Sequence, residues 1–249
     1  EMIILNNETV GISAEIAIAD EFGVEVSPYY RNRGDEEIAL SIRNIVSEIF
    51  DANNIPYPIT HIAENQSPID FILENSKTLS VKSNKRRLGK VAPQVIGQPT
   101  NETYFDFLYS QFGYDINIEL RNRGLCDSYE NRVFLFKEFS LNNICEMLSE
   151  YWKHLFECDY YIHFFDVLDM RNNLTYNPSY IVIRDIPVNP HWDIENISFT
   201  HGIRTWNESN TVKYHGISIG EFQAHNNRNC LKFRFNIRGI LKLLEDGLI

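Results

Sequence analysis

Asp70, Ser80 and Lys82 are the residues of this chain whose types and spacing could do chemistry together. Asp70 opens the apolar run Phe71-Ile72-Leu73. Glu74-Asn75-Ser76-Lys77-Thr78 is a polar turn, and Leu79-Ser80-Val81-Lys82-Ser83 returns as a second strand. That pattern predicts a β-hairpin. Side chains alternate along a strand, so Ser80 and Lys82 share one face while Leu79 and Val81 take the other. Folding the hairpin about Ser76 pairs Asp70 with Lys82 on the shared face; a slip of one residue sets Asp70 against Val81 instead. A carboxylate beside a lysine can hold Mg²⁺ against a phosphate and activate a water molecule. The plain alternative is a solvated acid after a turn, but apolar Ile69 and Phe71 point to a central strand, where an unused carboxylate is costly.

Asp70, the hairpin and Ser80-x-Lys82 resemble the active-site motif of the PD-(D/E)xK nuclease superfamily, and more narrowly its type II restriction endonucleases. The resemblance implies that Asp70 binds the metal, a second acid completes the metal site, and Lys82 polarises the attacking water or the scissile phosphate. The chain departs from the pattern twice. Pro68-Ile69-Asp70 replaces Pro-Asp, and Ser80 stands where Glu or Asp is usual. Some restriction enzymes carry a non-acidic residue there and recruit the second carboxylate from elsewhere. The segment from Gly11 to Phe22 resembles the N-terminal helix that often presents a glutamate to the active site, which makes Glu15 the favoured second metal ligand. Glu74 and Glu102 compete with it, and no acid lies between Lys82 and Glu102. Ser83-Asn84-Lys85-Arg86 and Gln94 resemble the segment after the catalytic lysine in a four-base-cutter subgroup. Ser80 and Gln94 thus join the site in support: Ser80 by coordinating through a water or only leaving room for one, Gln94 by accepting from a metal-bound water or fixing the lysine.

Net charge is −11 over 249 residues, which argues against a polyanion partner until its distribution is read. Residues 1–76 hold fourteen acids against Arg31, Arg33 and Arg43. Residues 77–101 hold Lys77, Lys82, Lys85, Arg86, Arg87 and Lys90 with no acid, and residues 202–243 carry seven bases against Glu208 and Glu221. Association with a polyanion depends on the local field, and these two segments supply it. Lys85, Arg86 and Arg87 directly follow the candidate lysine and are expected to touch DNA. Glu221-Phe222-Gln223-Ala224-His225 alternates, putting Gln223 and His225 on one polar face that ends in a loop with Arg228. Gln suits an adenine edge and Arg a guanine, so Gln223, His225 and Arg228 are candidate base readers; an exposed edge with Arg228 on a phosphate is the plainer reading.

The length predicts one domain, 1–249, since single cores stop growing near ~250–300 residues. Its catalytic core is expected at about 1–112, with a strand-rich, DNA-reading region at about 180–249. Ser13 is a candidate cap for a helix through Phe22, and Tyr29–Gly34 reads as a loop. Asp35 caps a stronger helix to about Ala52, with Ile38, Ile42, Ile45, Val46 and Ile49 at helical spacing. Another helix is expected at 101–112. Ile116–Leu120 and Arg132–Phe136 read as strands, and Ser140 as the start of a helix to His154 or Phe156. Tyr160–Phe165 reads as core, Tyr180–Arg184 as a strand, residues 197–235 as strands throughout, and 238–244 as a closing helix. The fold class is therefore α/β or α+β, a mixed central sheet flanked by helices, and the resemblance specifies a restriction-endonuclease-like core.

Other chemistries find little support. Gly216-x-Ser218-x-Gly220 matches the hydrolase nucleophile elbow, but the residues after it alternate like a strand. No HExxH, Walker or Rossmann pattern occurs, and Cys126, Cys145, Cys158 and Cys230 lack metal spacing, reading as reduced, buried thiols. No membrane span and no charged leader are seen, so a cytoplasmic protein is expected, bacterial by the resemblance. The reading that follows is Mg²⁺-dependent cleavage of double-stranded DNA at a short specific site within a restriction-modification system. Two alternatives remain: a DNA-binding module without cutting activity, or a structure-specific repair or junction nuclease. Monomer and homodimer are both compatible with the sequence.

Overall fold

A computed structural model describes residues 5–62, 67–93 and 100–249. The chain forms two compact units, the first from Glu1–Gly89 with Phe156–Val188, the second from Lys90–Leu155 with Asn189–Ile249. The expected core at 1–112 and strand-rich region at 180–249 cut across both.

The first unit begins with α1 (Asn7–Phe22), capped by Asn6 rather than Ser13. Ser13 lies inside the helix, donating to the Thr9 carbonyl at 2.7 Å and accepting from the Asp35 amide at 2.8 Å. Val10, Ile12, Ala14, Ile16, Ala17, Ile18 and Ala19 are all buried, so this helix is apolar around its whole girth and packed on every side. The expected loop at Tyr29–Gly34 contains a single turn, α2 (Pro28–Arg31), started by Ser27 and Pro28. α3 (Glu36–Ala52) follows with Asp35 as its cap, as its spacing requires, and packs along α1. A five-stranded mixed sheet carries the order β1 (Pro58–His61), β2 (Phe71–Leu73), β3 (Thr78–Ser83), β5 (Tyr160–Phe165), β6 (Ser179–Arg184). β3 and β5 run parallel; the other pairs are antiparallel. α1, α3 and the apolar residues of β2, β3 and β5 share one core.

The second unit holds an antiparallel sheet in the order β4 (Lys90–Val91), β10 (Leu231–Asn236), β9 (Ile217–Ala224), β8 (Ser209–Tyr214), β7 (Ile197–Phe199). Around it stand α4 (Asn101–Phe112), α5 (Ile116–Asn122), α6 (Tyr129–Asn142), α7 (Ile144–Phe156) and α8 (Ile237–Glu245). Phe222 and Phe233 of the sheet meet Phe136 of α6 and Tyr151 of α7 in an aromatic core. Two expected strands are helices here. Asp115 caps the Asn117 and Ile118 amides, and Ile116 and Leu120 then bury at i, i+4. Ser128 caps Asn131, and Val133, Phe136 and Ser140 bury at i, i+3 and i+7. Ser140 does not start a helix: its hydroxyl bonds back to Phe136, and the break falls at Asn143, whose amide returns to the Phe139 carbonyl.

His215 and Gly216, at φ 50° and 75°, form a two-residue turn joining Tyr214 to Ile217. Ser218 therefore sits in a strand, and the Gly216–Gly220 match is not a nucleophile elbow. The cysteines are free thiols, but Cys126 is exposed and the other three only half-buried. Among the described residues no helix is long and apolar enough to cross a membrane.

Candidate active site

The hairpin forms, in a register shifted from the expected one. Phe71 pairs with Leu79 and Ile72 with Thr78, and the Asp70 amide donates to the Leu79 carbonyl at 2.9 Å. The turn closes on Leu73 and Lys77, with Ser76 in the left-handed region at φ 63°. This three-residue turn moves the pairing by two residues from the expected one, and Asp70, just ahead of the strand, bonds through its amide to Leu79. The slip is an even one, and Ser80 and Lys82 keep their common face. Lys82 reaches diagonally, its Nζ 3.7 Å from Asp70 Oδ2. The same oxygen accepts the Val81 amide at 2.6 Å.

Glu15 comes to this point from α1, the one acid in the helix's buried stretch. Its carboxyl and that of Asp70 each perturb the other's proton affinity. Tyr30 donates its hydroxyl to Glu15 Oε2, and His61 Nε2 stands 3.5 Å from Oε1. Glu15 and Asp70 are 5% and 4% exposed. Burial pushes the Asp70 carboxyl well above the usual range, against the pull of Lys82 and with the push of Glu15. Burial raises Glu15 too, against its contacts with Asp70, Tyr30 and Lys82. Two carboxyls forced together in low dielectric have two remedies, a retained proton or a cation between them.

The donor set fits a hard cation such as Mg²⁺: oxygen ligands only, two carboxyls, and an oxygen, Glu15 Oε1, that no donor satisfies among the described residues. Among those residues no group of three His, Cys, Asp or Glu is gathered for a metal. Mg²⁺ is commonly held by one or two carboxylates together with substrate phosphate and waters. Of the competing acids, Glu74 is exposed in the turn and Glu102 exposed on α4. Ser80 is fully buried and its hydroxyl has no partner among the described residues. Gln94 lies outside the described residues.

Beside Lys82 on β5 stands His163. Its Nδ1 meets the Tyr161 hydroxyl at 2.9 Å and its Nε2 the Asn84 carbonyl oxygen at 2.7 Å. Burial, with Lys82 adding to it, pushes His163 down to about 3, so it is neutral. Sequence reasoning missed Tyr30, His61 and His163. Only His163 left a signal, as a polar residue within an aromatic run.

The expected DNA contacts divide between the units. Lys85, Arg86 and Arg87 border a shallow depression of about 190 Å³ with Asn7 and Asn84. Lys85 Nζ donates to the Leu5 carbonyl at 3.1 Å. Arg86 reaches the carbonyls of Asp169 and Met170, each at 3.4 Å, and Asn172 Oδ1 at 3.1 Å. Arg87 is exposed. In the second unit Gln223 donates to Glu221 Oε1 at 2.7 Å, and Glu221 is held by Lys90 at 2.7 Å and Arg234 at 3.0 Å. His225 lies beyond the end of β9, Arg228 is exposed in the β9–β10 loop, and the Tyr129 hydroxyl donates to both their carbonyls.

The chain is 30% identical over 189 residues to the type II restriction enzyme CviAII of Paramecium bursaria Chlorella virus 1. It is a distant homologue of a type II restriction enzyme. The alignment takes in 76% of this chain and 48% of that enzyme, so the chain spans about half the length of the relative it matches. No protein-family model and no solved structure matches it.

Proposed function

We propose that this chain is a Mg²⁺-dependent type II restriction endonuclease of the PD-(D/E)xK superfamily, with a restriction-endonuclease-like core formed by the first unit. The observation that carries the reading is the meeting of Glu15, Asp70 and Lys82, three ionisable groups from α1 and the hairpin, at one buried point. Homology to a restriction enzyme supports DNA as the substrate. Glu15 and Asp70 would hold the metal, which when bound supplies Lewis-acid stabilisation of charge on the phosphate. Lys82 carries three donors to the same place, suited to orienting the attacking water or neutralising a phosphate oxygen. Neutral His163 keeps a competing positive charge away from Lys82. Ser80 leaves room where an acid would stand in other members, with Glu15 as the replacement. Arg87, Gln223, His225 and Arg228 are the proposed DNA contacts.

Asp70→Ala and Lys82→Ala should each lower the rate of plasmid cleavage in Mg²⁺ by at least about a thousandfold, while the gel shift on the same DNA persists. Near-wild-type cutting by either variant refutes the site. A gel shift without discrete fragments from the unaltered protein would instead favour a DNA-binding module that does not cut.

A further inference from the structure

The 166–178 loop between β5 and β6 exposes large apolar side chains on a braced backbone. Met170 is 82% and Tyr176 90% exposed. The loop is built, not slack. Leu168 bridges Leu174, and the Thr175 amide donates to the Val167 carbonyl at 2.9 Å. Asp169 Oδ1 accepts the amides of Arg171 and Asn173 at 2.7 and 2.9 Å. The base of the loop is tied to the segment after the candidate lysine: the Asp166 amide donates to the Arg86 carbonyl at 2.6 Å, and the Leu168 amide to the Lys85 carbonyl at 2.8 Å. The Arg86 guanidinium then clamps the tip through Asp169, Met170 and Asn172. An arginine spent on three acceptors of one loop is a bracket for that loop.

Position gives the loop its partner. Lys82 on β3 pairs in parallel with His163 on β5. The loop starts at Asp166, three residues further along, or about 10 Å at strand spacing. It leaves the sheet at the strand ends where Lys82 lies, so a duplex held at Asp70 and Lys82 would lie within its reach. Apolar side chains projecting into a groove are how proteins wedge or stack against base steps.

We propose that the 166–178 loop is a second DNA-contact element, a groove wedge with Met170 at its tip and Tyr176 on its returning arm, and that Arg86 is its positioning residue rather than a phosphate contact. This inference rests on the nuclease reading. Contacts of this kind tolerate sequence, so a fluorescent pool of random-sequence duplexes is a sufficient probe, titrated by anisotropy over a range of KCl without divalent cation. Tyr176→Ala should weaken binding about tenfold at every salt concentration, with the slope of log affinity against log salt unchanged and thermal stability unaltered. Met170→Ala should act in the same direction. Arg86→Ala should follow the same pattern, because losing the bracket loosens the wedge.

Wild-type affinity in both Tyr176→Ala and Met170→Ala would overturn the wedge. So would a salt slope reduced by about one in Arg86→Ala, the mark of a lost phosphate contact. A Tyr176→Ala variant that converts a dimer to monomers, by sedimentation, with DNA affinity unchanged would assign this side chain to a second copy of the chain and overturn the wedge too. If the unaltered protein binds no duplex at any salt, the nuclease reading fails first and the wedge falls with it.

Discussion

Glu15 illustrates how the identity of a neighbour decides a residue's chemistry. An acid on an amphipathic helix faces water, but α1 has no wet side along its buried stretch. Glu15 is held in place by the Tyr30 hydroxyl and set against Asp70. Burial, then the Glu15 carboxylate itself, raises the Tyr30 phenol far above its ordinary value, so it acts as a fixed donor. Removing that donor should loosen the carboxylate without emptying the site. Tyr30→Phe keeps the ring against His61, at 4.9 Å between centroids, and is expected to lower Mg²⁺ affinity roughly tenfold in a calorimetric titration. An unchanged affinity would mean that Glu15 needs no orienting partner.

At the scale of elements, turn length matters more than strand composition. The hairpin turn is three residues between Leu73 and Lys77, shorter than the polar segment suggests, and its third residue, Ser76, is left-handed. That geometry belongs to a type I turn followed by a left-handed residue. It moved the pairing by two, and Lys82 still reaches Asp70. A close approach fixes the last element. A Cβ on Gly239 of α8 would fall 1.9 Å from the Ser218 carbonyl oxygen of β9. Gly239→Ala should therefore lower stability by about 3 kcal/mol in urea denaturation, because helix and strand must separate. A midpoint equal to wild type would contradict that packing.

For the whole molecule, the carboxyl pair ties stability to pH and to cation binding. The folded-state pKa values of Glu15 and Asp70 are raised, so the folded state binds protons more readily there than the unfolded chain. Their contribution is present in acid and lost as pH rises through those raised values. His163 has the opposite sign: held down to about 3, it opposes the fold as pH drops below its unfolded value of about 6.5. A cation that replaces the retained proton acts most strongly where the proton is gone. Mg²⁺ at about a hundred times its pH 8 Kd should raise Tm by roughly 5–10 °C near pH 8, and the same concentration by clearly less near pH 5.5. Equal shifts at both pH values would separate Mg²⁺ binding from this pair.

Much of the architecture was legible because it is local. Asp35 and the isoleucines of α3 specify a cap and a helical stripe, Tyr180–Arg184 is a β-branched run, and Ile217–Ala224 and Leu231–Phe235 alternate at the period of strands. Ile116–Leu120 and Arg132–Phe136 misled for the same reason: short apolar runs fit either period, and Asp115 and Ser128 as caps decided them.

By itself the sequence determined the hairpin and the common face of Ser80 and Lys82, since a two-residue period requires only neighbouring residues. Tertiary structure alone decided the rest of the site. Glu15, Tyr30 and His61 converge across many residues of chain, and β5 joins β3 in parallel, with Lys82 beside His163, 81 positions apart. Such contacts are set by which buried surfaces fit together, and that choice is made by the whole core rather than by any local pattern.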